Sequence, residues 1–170
     1  MDARRRRADD SQGLMRVHLC AVGRLRAGPE RALVDDYLKR FDRTGRGLGL
    51  GPASEHEVED RKGGGMAAEA ALLTRVIPTG AVLAVMDERG QQASSPEFAE
   101  RLAGWRDAGR QDLAFVIGGA DGIAPDLRDR ADHAFSFGRM VWPHALVRVM
   151  LAEQLYRAWS LLHHHPYHRA

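Results

Sequence analysis

No other stretch of this chain says as much about its chemistry as the segment WPHALVRVMLAEQLYRAWSLLHHHPYHR from Trp142 to Arg169. His144, Glu153, His165 and His168 can take up or release a proton, and imidazole does so close to neutral pH. Arg148, Arg157 and Arg169 can grip a phosphate or pair with a carboxylate. Chain ends are usually small and polar. Tyr167, His168 and Arg169 instead place an aromatic ring, an imidazole and a guanidinium side by side, a set suited to stacking on an unpaired base and holding its phosphate. Plainer readings stand beside these. Glu153 and Arg157 are four apart in the favourable order, as in a helix-surface pair worth about 0.3–0.5 kcal/mol. His144 follows Pro143 and could simply meet solvent or backbone. His163, His164 and His165 lack the helical spacing that puts metal ligands on one face, so no metal is expected. Arg148 and Arg157 lie nine residues apart, about two and a half turns. They face different sides, one free for RNA or a partner's tail and the other for an internal ion pair.

A second group is Ile117, Gly118, Gly119, Ala120, Asp121 and Gly122. It is neither the GxGxxG dinucleotide fingerprint nor a phosphate-binding loop ending in Lys-Ser/Thr. Alone it reads as a tight turn, since glycine is the default residue for positive φ. Its company gives it weight: Met86 with Asp87 earlier, and Phe137 to Trp142 later.

The elements that must carry these residues follow from apolar periodicity, which switches repeatedly between strand and helix repeats. Val17 to Val22 is a β-rich run ending at Gly23, and Pro29 to Phe41 has helical spacing at Leu33, Val34, Tyr37, Leu38 and Phe41. Glu55 to Val58 is a weak strand candidate. Lys62 to Gly65 makes a glycine-rich turn before a helix over Met66 to Val76. Ala81 to Met86 is an apolar strand. Ser95 and Pro96 supply an N-cap and a first-position proline for a helix reaching about Ala108. Leu113 to Ile117 and Ala134 to Ser136 are further strands. The final helix opens at Pro143, and its apolar residues point in most directions, so burial by its own domain and by a partner is expected. Strands alternating with helices of ten to fifteen residues indicate an α/β domain with a largely parallel sheet and helices on both faces. Ligands in such folds bind outside the carboxyl ends of the strands, where all three loops fall.

The 170 residues, 44% of them hydrophobic, suffice for one domain with a sizeable core. Residues 1–14, with the run Arg4 to Arg7, read as a disordered basic leader. Residues 15–170 form the domain, and Met15 is an alternative start. Cys20, the single cysteine, lies in an apolar run as a buried structural thiol, which suits a reducing cytoplasm. No apolar run approaches the roughly 20 residues of a membrane span. Net charge is only +2, yet 23 of the 25 basic residues are arginine. That is compatible with RNA work, although genomic base composition gives the same bias.

The pieces AVG, YLKRF, MDERG, FVIGGADG, WPHALVRVMLAEQLYRAWS and PYHR, in that order between Met15 and Arg169, resemble the RlmH family of SPOUT methyltransferases. The resemblance implies an α/β fold with a C-terminal trefoil knot, a homodimer, and a cytoplasmic enzyme. It further implies methylation of N3 of a pseudouridine in the large-subunit rRNA of the assembled bacterial ribosome, with S-adenosylmethionine as donor. It assigns cofactor contact to Met86, to Gly118, and to Phe137, Gly138, Arg139, Met140, Val141 and Trp142. Substrate contact falls to Arg148, Arg157, His165, Tyr167, His168 and Arg169. An imide nitrogen must lose its proton as it attacks the methyl group, and a positioned base typically adds 10²- to 10⁴-fold. The catalytic candidates are His144, Glu153 and His168, with His165 weighed as a further base. The chain departs from the usual pattern with Ala120 in place of Pro and Trp142 in place of Leu. Trp142 either covers the adenine or packs under the helix, and packing is favoured because Trp is highly buried on average. Two other classes stand beside this expectation. A noncatalytic RNA-binding module would not need the glycine loop together with Phe137 to Trp142, and a nucleotide-dependent oxidoreductase lacks its glycine fingerprint.

Overall fold

The computed structural model describes residues 14–169; the basic run Arg4 to Arg7 lies outside them. Five strands, β1 (Met15–Val22), β2 (Leu50–Val58), β3 (Val82–Gln92), β4 (Asp112–Ile117) and β5 (His133–Ser136), form one sheet in the order β2-β1-β4-β3-β5. Every pairing is parallel. The connections are helices α1 (Pro29–Gly45), α2 (Gly65–Val76), α3 (Ser95–Asp107) and α4 (Pro125–Arg130), and α5 (His144–Leu162) closes the domain.

The strand pleat sorts the core into two layers, because alternate residues face opposite sides. Met15, Val17, Leu19, Leu113, Phe115 and Ile117 pack beneath α1, α3 and α5. Cys20, Val22, Ala114 and Val116 pack beneath α2 and α4 with Leu73 and Leu127. In α1 the buried positions Val34, Leu38, Phe41 and Gly45 recur at helical spacing, a single apolar stripe. Cys20 is fully buried and its thiol is pushed up to about 12 by that burial, so it is a packing residue.

Several expectations are revised at the edges of elements. The strand foreseen at Glu55 to Val58 begins at Leu50; its middle is polar because β2 is an edge strand with only one pairing neighbour. The cap of α3 is Ser94, whose Oγ accepts from the Glu97 N–H at 3.2 Å. Ser95, expected in that place, instead donates to Gln154 Oε1 of α5 at 2.8 Å. Strand β3 runs on past Met86 with an irregularity, so that Met86 and Gln91 both pair with Phe135.

At the amino ends of the strands lies a polar cluster that no sequence pattern announced. Asp112 accepts from Arg16 at 2.8 and 2.9 Å and from His18 Nε2 at 2.8 Å. His18 Nδ1 lies 3.2 Å from His56 Nε2. Burial alone would push the Asp112 carboxyl up, but the bonds from Arg16 and His18 outweigh it and hold it below the usual range. Among the described residues, no helix is long and apolar enough to cross a membrane.

Candidate active site

At the opposite end of the sheet a cavity of about 640 Å³ opens between the carboxyl ends of β3, β4 and β5 and the start of α5. Three loops wall it. The first, Met86 to Arg89, is the irregular stretch within β3 where its pairing with β5 is interrupted, the second holds Gly118 to Ile123, and the third Phe137, Gly138, Met140, Val141, Trp142 and Pro143. His144 and Val147 of α5 complete it. This volume is in the range of small-molecule pockets.

Each loop is held by identifiable contacts. A Cβ on Gly118 would lie 2.6 Å from the Gly122 carbonyl oxygen, so only glycine lets the second loop fold this tightly. Gly119 and Gly122 form an isolated antiparallel bridge across it. Asp87 is no free carboxylate. It pairs with Arg89 at 3.0 Å and Arg128 at 3.5 Å with its side chain only 5% exposed, fixing the first loop to α4. Ser136 ties the first loop to the third, donating to the Glu88 carbonyl at 3.1 Å and accepting from the Gly138 N–H at 3.0 Å. Neither Ser136 nor Arg128 was singled out in the sequence. A serine two residues before a glycine is a local signal for such a turn, whereas the Arg128 contact depends on tertiary packing.

The third loop is largely unsupported on its outer side. Met140 is 76% exposed, Val141 77% and Trp142 41%. Trp142 therefore lines the cavity and is not buried beneath the helix, which corrects the favoured reading. Arg139 is exposed and stands outside the cavity lining.

Helix α5 spans 19 residues, roughly 28 Å at 1.5 Å per residue, and distributes the remaining candidates along that length. His144, at its start, is exposed and overhangs the end of β1: its Nε2 lies 3.7 Å from where a Cβ on Gly23 would sit. Arg148, expected to touch substrate, is 1% exposed. Its guanidinium donates to Glu57 at 2.6 Å, Glu55 at 3.3 Å and the Gly23 carbonyl at 3.1 Å, while Nε has no partner. That reading is corrected: within the chain, Arg148 is a buried clamp between α5, β2 and the end of β1. Burial would push Glu57 up, yet hydrogen bonds from the Leu25 N–H and Arg148 hold its carboxyl low.

From the middle of α5 onward, Glu153 accepts from Arg157 at 2.6 and 2.9 Å and from the Tyr167 hydroxyl at 3.0 Å. Arg157 sits over the Tyr167 ring at 5.3 Å, and Tyr156 meets that ring edge-on at 4.6 Å. Burial, followed by Tyr37 and Glu153, pushes the Tyr167 phenol up. The three histidines make a turn. His163 stacks on Trp159 at 5.3 Å and His165 approaches it at 5.1 Å, while His164 takes the left-handed conformation at φ 57°. The chain thus reverses, and the short 3₁₀ turn Pro166–Arg169 lies back on α5, with His168 Nδ1 3.5 Å from Ser160 Oγ and Arg169 exposed. Within one chain the structure brings together Glu153, Arg157 and Tyr167, and separately His144 with the residues of the cavity loops. It does not bring the two groups to each other.

The family model described as "Predicted SPOUT methyltransferase" matches residues 15–168. The chain belongs to this family. Among its relatives, "Ribosomal RNA large subunit methyltransferase H" of Cereibacter sphaeroides (strain ATCC 17025 / ATH 2.4.3) is 72% identical over 155 residues, 91% of this chain and 99% of the relative. The protein of the same name from Ruegeria sp. (strain TM1040) is 68% identical over the same coverage. Solved structures with a similar arrangement include the SpoU methyltransferase AviRb from Streptomyces viridochromogenes in complex with AdoMet, at 15% identity and a TM-score of 0.39, over 86% of this chain and 60% of that one. This SPOUT chain therefore carries its cavity at the strand ends of a methyltransferase domain.

Proposed function

We propose that the protein transfers a methyl group from S-adenosylmethionine to N3 of a pseudouridine in large-subunit rRNA of the assembled ribosome. One observation carries the reading: the 640 Å³ cavity is walled by the three segments that the family resemblance assigns to the donor. The residues fit such a ligand. The side-chain-free approach at Gly118 admits a ligand against backbone, and Met86, Phe137, Met140, Val141 and Trp142 offer apolar faces to an adenosyl group. When bound, the donor supplies an electrophilic methyl group on a sulfonium. The protein must then hold the target nitrogen in line, exclude water and accept a proton. His144 is the candidate base already at the cavity. Arg139, outside the lining, is placed to meet the ligand only if the third loop closes.

The names of the relatives support RNA of the large ribosomal subunit as substrate. The homodimer is part of the same reading, and so is the trefoil knot. Its support is the separation along α5. A second copy packed across α5 with its helix reversed would cover Leu146 and the exposed Met140 to Trp142. It would also bring its own Tyr167, His168 and Arg169 towards this cavity. Arg157 and His165 stay with the tail in this arrangement, and Glu153 anchors it.

Labelled methyl transfer to intact ribosomes, separated subunits and naked rRNA, followed by mapping of the modified base, tests the reading. Label confined to one pseudouridine of the large subunit, and greatest on intact ribosomes, is the expected result. A protein that binds S-adenosylmethionine yet labels no RNA would overturn it.

A further inference from the structure

Beside the cofactor cavity one half-buried carboxylate is left unexplained. Glu69, in α2, has its Oε2 shut off from solvent with no hydrogen-bond partner. It abuts Gly119 so closely that a Cβ there would meet Oε2 at 3.0 Å, Val22 Cγ1 at 3.1 Å and Oε1 at 3.2 Å. An unpaired carboxylate oxygen inside a protein is costly, and such groups call for an explanation. Rotating this side chain to solvent would remove the cost, so its place beneath the glycine loop needs one.

The topology supplies it. Helix α1 leaves β1 over one face of the sheet, and α2 enters β3 from the other. With β1 and β4 adjacent, their carboxyl ends flank the point at which the winding reverses, where a crevice opens and ligands bind in open α/β sheets. Gly23 and Gly119 follow these two strands, His144 overhangs the first glycine and Glu69 lies against the second. Gly119 also lines the cofactor cavity. Glu69 therefore touches the glycine loop of the cavity from behind, at a residue with no side chain of its own.

We propose that Glu69 is a catalytic residue, the proton acceptor for the nitrogen that is methylated, with the target base entering the crevice between β1 and β4. The inference rests on the methyltransferase reading above and moves the role of proton acceptor from His144 to Glu69, leaving His144 to pass the proton on to water. In the step, the imide N–H bond breaks and its proton passes to the Glu69 carboxylate. The electron pair left on nitrogen forms the bond to the methyl carbon. The carbon–sulfur bond breaks with its pair kept by sulfur, which becomes a neutral thioether. The carboxyl then returns its proton to water past His144. The charged groups facing Glu69 are Asp60 before α2, Asp121 of the glycine loop and His144 of α5. Burial, then Asp121 and Asp60, push the Glu69 carboxyl up, with His144 opposing, so it is a stronger proton acceptor than a solvated glutamate.

The experiment compares wild-type enzyme with Glu69→Gln and Glu69→Asp. Methyl transfer to ribosomes is followed between pH 5 and 9, S-adenosylmethionine affinity by calorimetry, and the carboxyl titration of the cofactor-free protein by carbon NMR. Glu69→Gln should lose 10²- to 10⁴-fold in turnover with affinity within threefold and the acidic limb of the profile gone. Glu69→Asp should recover part of the rate and keep that limb. The Glu69 carboxyl should titrate above the ordinary glutamate range. An active Glu69→Gln enzyme with an unchanged profile, an affinity lost in parallel with turnover, or an ordinary Glu69 titration would each overturn the proposal. Wild-type enzyme that modifies no RNA would instead overturn the functional reading and this inference with it.

Discussion

At its amino end α5 borders an open cavity whose third loop exposes Met140, Val141 and Trp142. Along its second half the same helix is covered by its own tail, with Glu153, Arg157 and Tyr167 satisfying one another. The first end has apolar surface and unpaired groups that a ligand would cover; the second has already found partners within the chain. Unfinished surface marks where a small ligand binds, whereas a finished but shallow surface patch marks a segment that can be exchanged for another partner at modest cost.

Removing Tyr167 to Ala170 tests that contrast most severely. Methylation of ribosomes should fall by about a hundred- to a thousandfold, a loss typical of removing a group that acts in the reaction itself, while S-adenosylmethionine affinity in calorimetry stays within threefold. Equal losses of both would erase the distinction between the two ends. Arg148→Ala should come next, costing about 3 kcal/mol in urea unfolding because Glu55 and Glu57 lose their buried partner; a near-neutral result would mean that the clamp is not what joins α5 to the sheet. Trp142→Ala should weaken cofactor binding about tenfold, roughly 1.4 kcal/mol, without moving the unfolding midpoint. A fall in stability with unchanged affinity would return Trp142 to a packing role. Glu153→Gln should leave cofactor affinity alone and let the Tyr167 phenol titrate nearer its ordinary range, followed by ultraviolet absorbance.

The smallest effect lies away from both ends and serves as a control. Burial and then the charge of His18 hold His56 below its ordinary pKa, so the unfolded chain takes up that proton first. The stability tied to His56 is complete above pH 6.5, the ordinary histidine value, and is lost as pH falls below it. His56→Gln should flatten that slope in unfolding experiments between pH 5 and 7 without altering cofactor affinity. A change in affinity would connect this distant cluster to the cavity.

The sequence revealed elements wherever composition alone settles burial. Strands β1, β3 and β4 are apolar runs, and the long helix was plain from Pro143 onward. Helix α4 was not foreseen, since six residues hardly complete a periodic pattern. β2 was half seen, because its middle reads Ser54, Glu55, His56 and Glu57. Of the site, the three loops were legible because glycine and apolar residues cluster just after strand-like runs. The environment of Arg148 was not, as its partners lie 91 and 93 residues away and ion pairing across such separations leaves no local spacing. Glu69 stayed hidden for the same reason. A glutamate in an alanine-rich helix reads as solvated until the fold lays Gly119 over it.

The Arg148 clamp has a kinetic consequence. A guanidinium fixed to two carboxylates and to the Gly23 carbonyl pins α5 before any ligand arrives. The ordering entropy of cofactor capture then falls mainly on the short, exposed segment from Arg139 to Pro143. Association should proceed in two phases, a concentration-dependent encounter with a rigid floor and a slower, concentration-independent wrapping of that segment, with the dwell time of the ligand governed by the second.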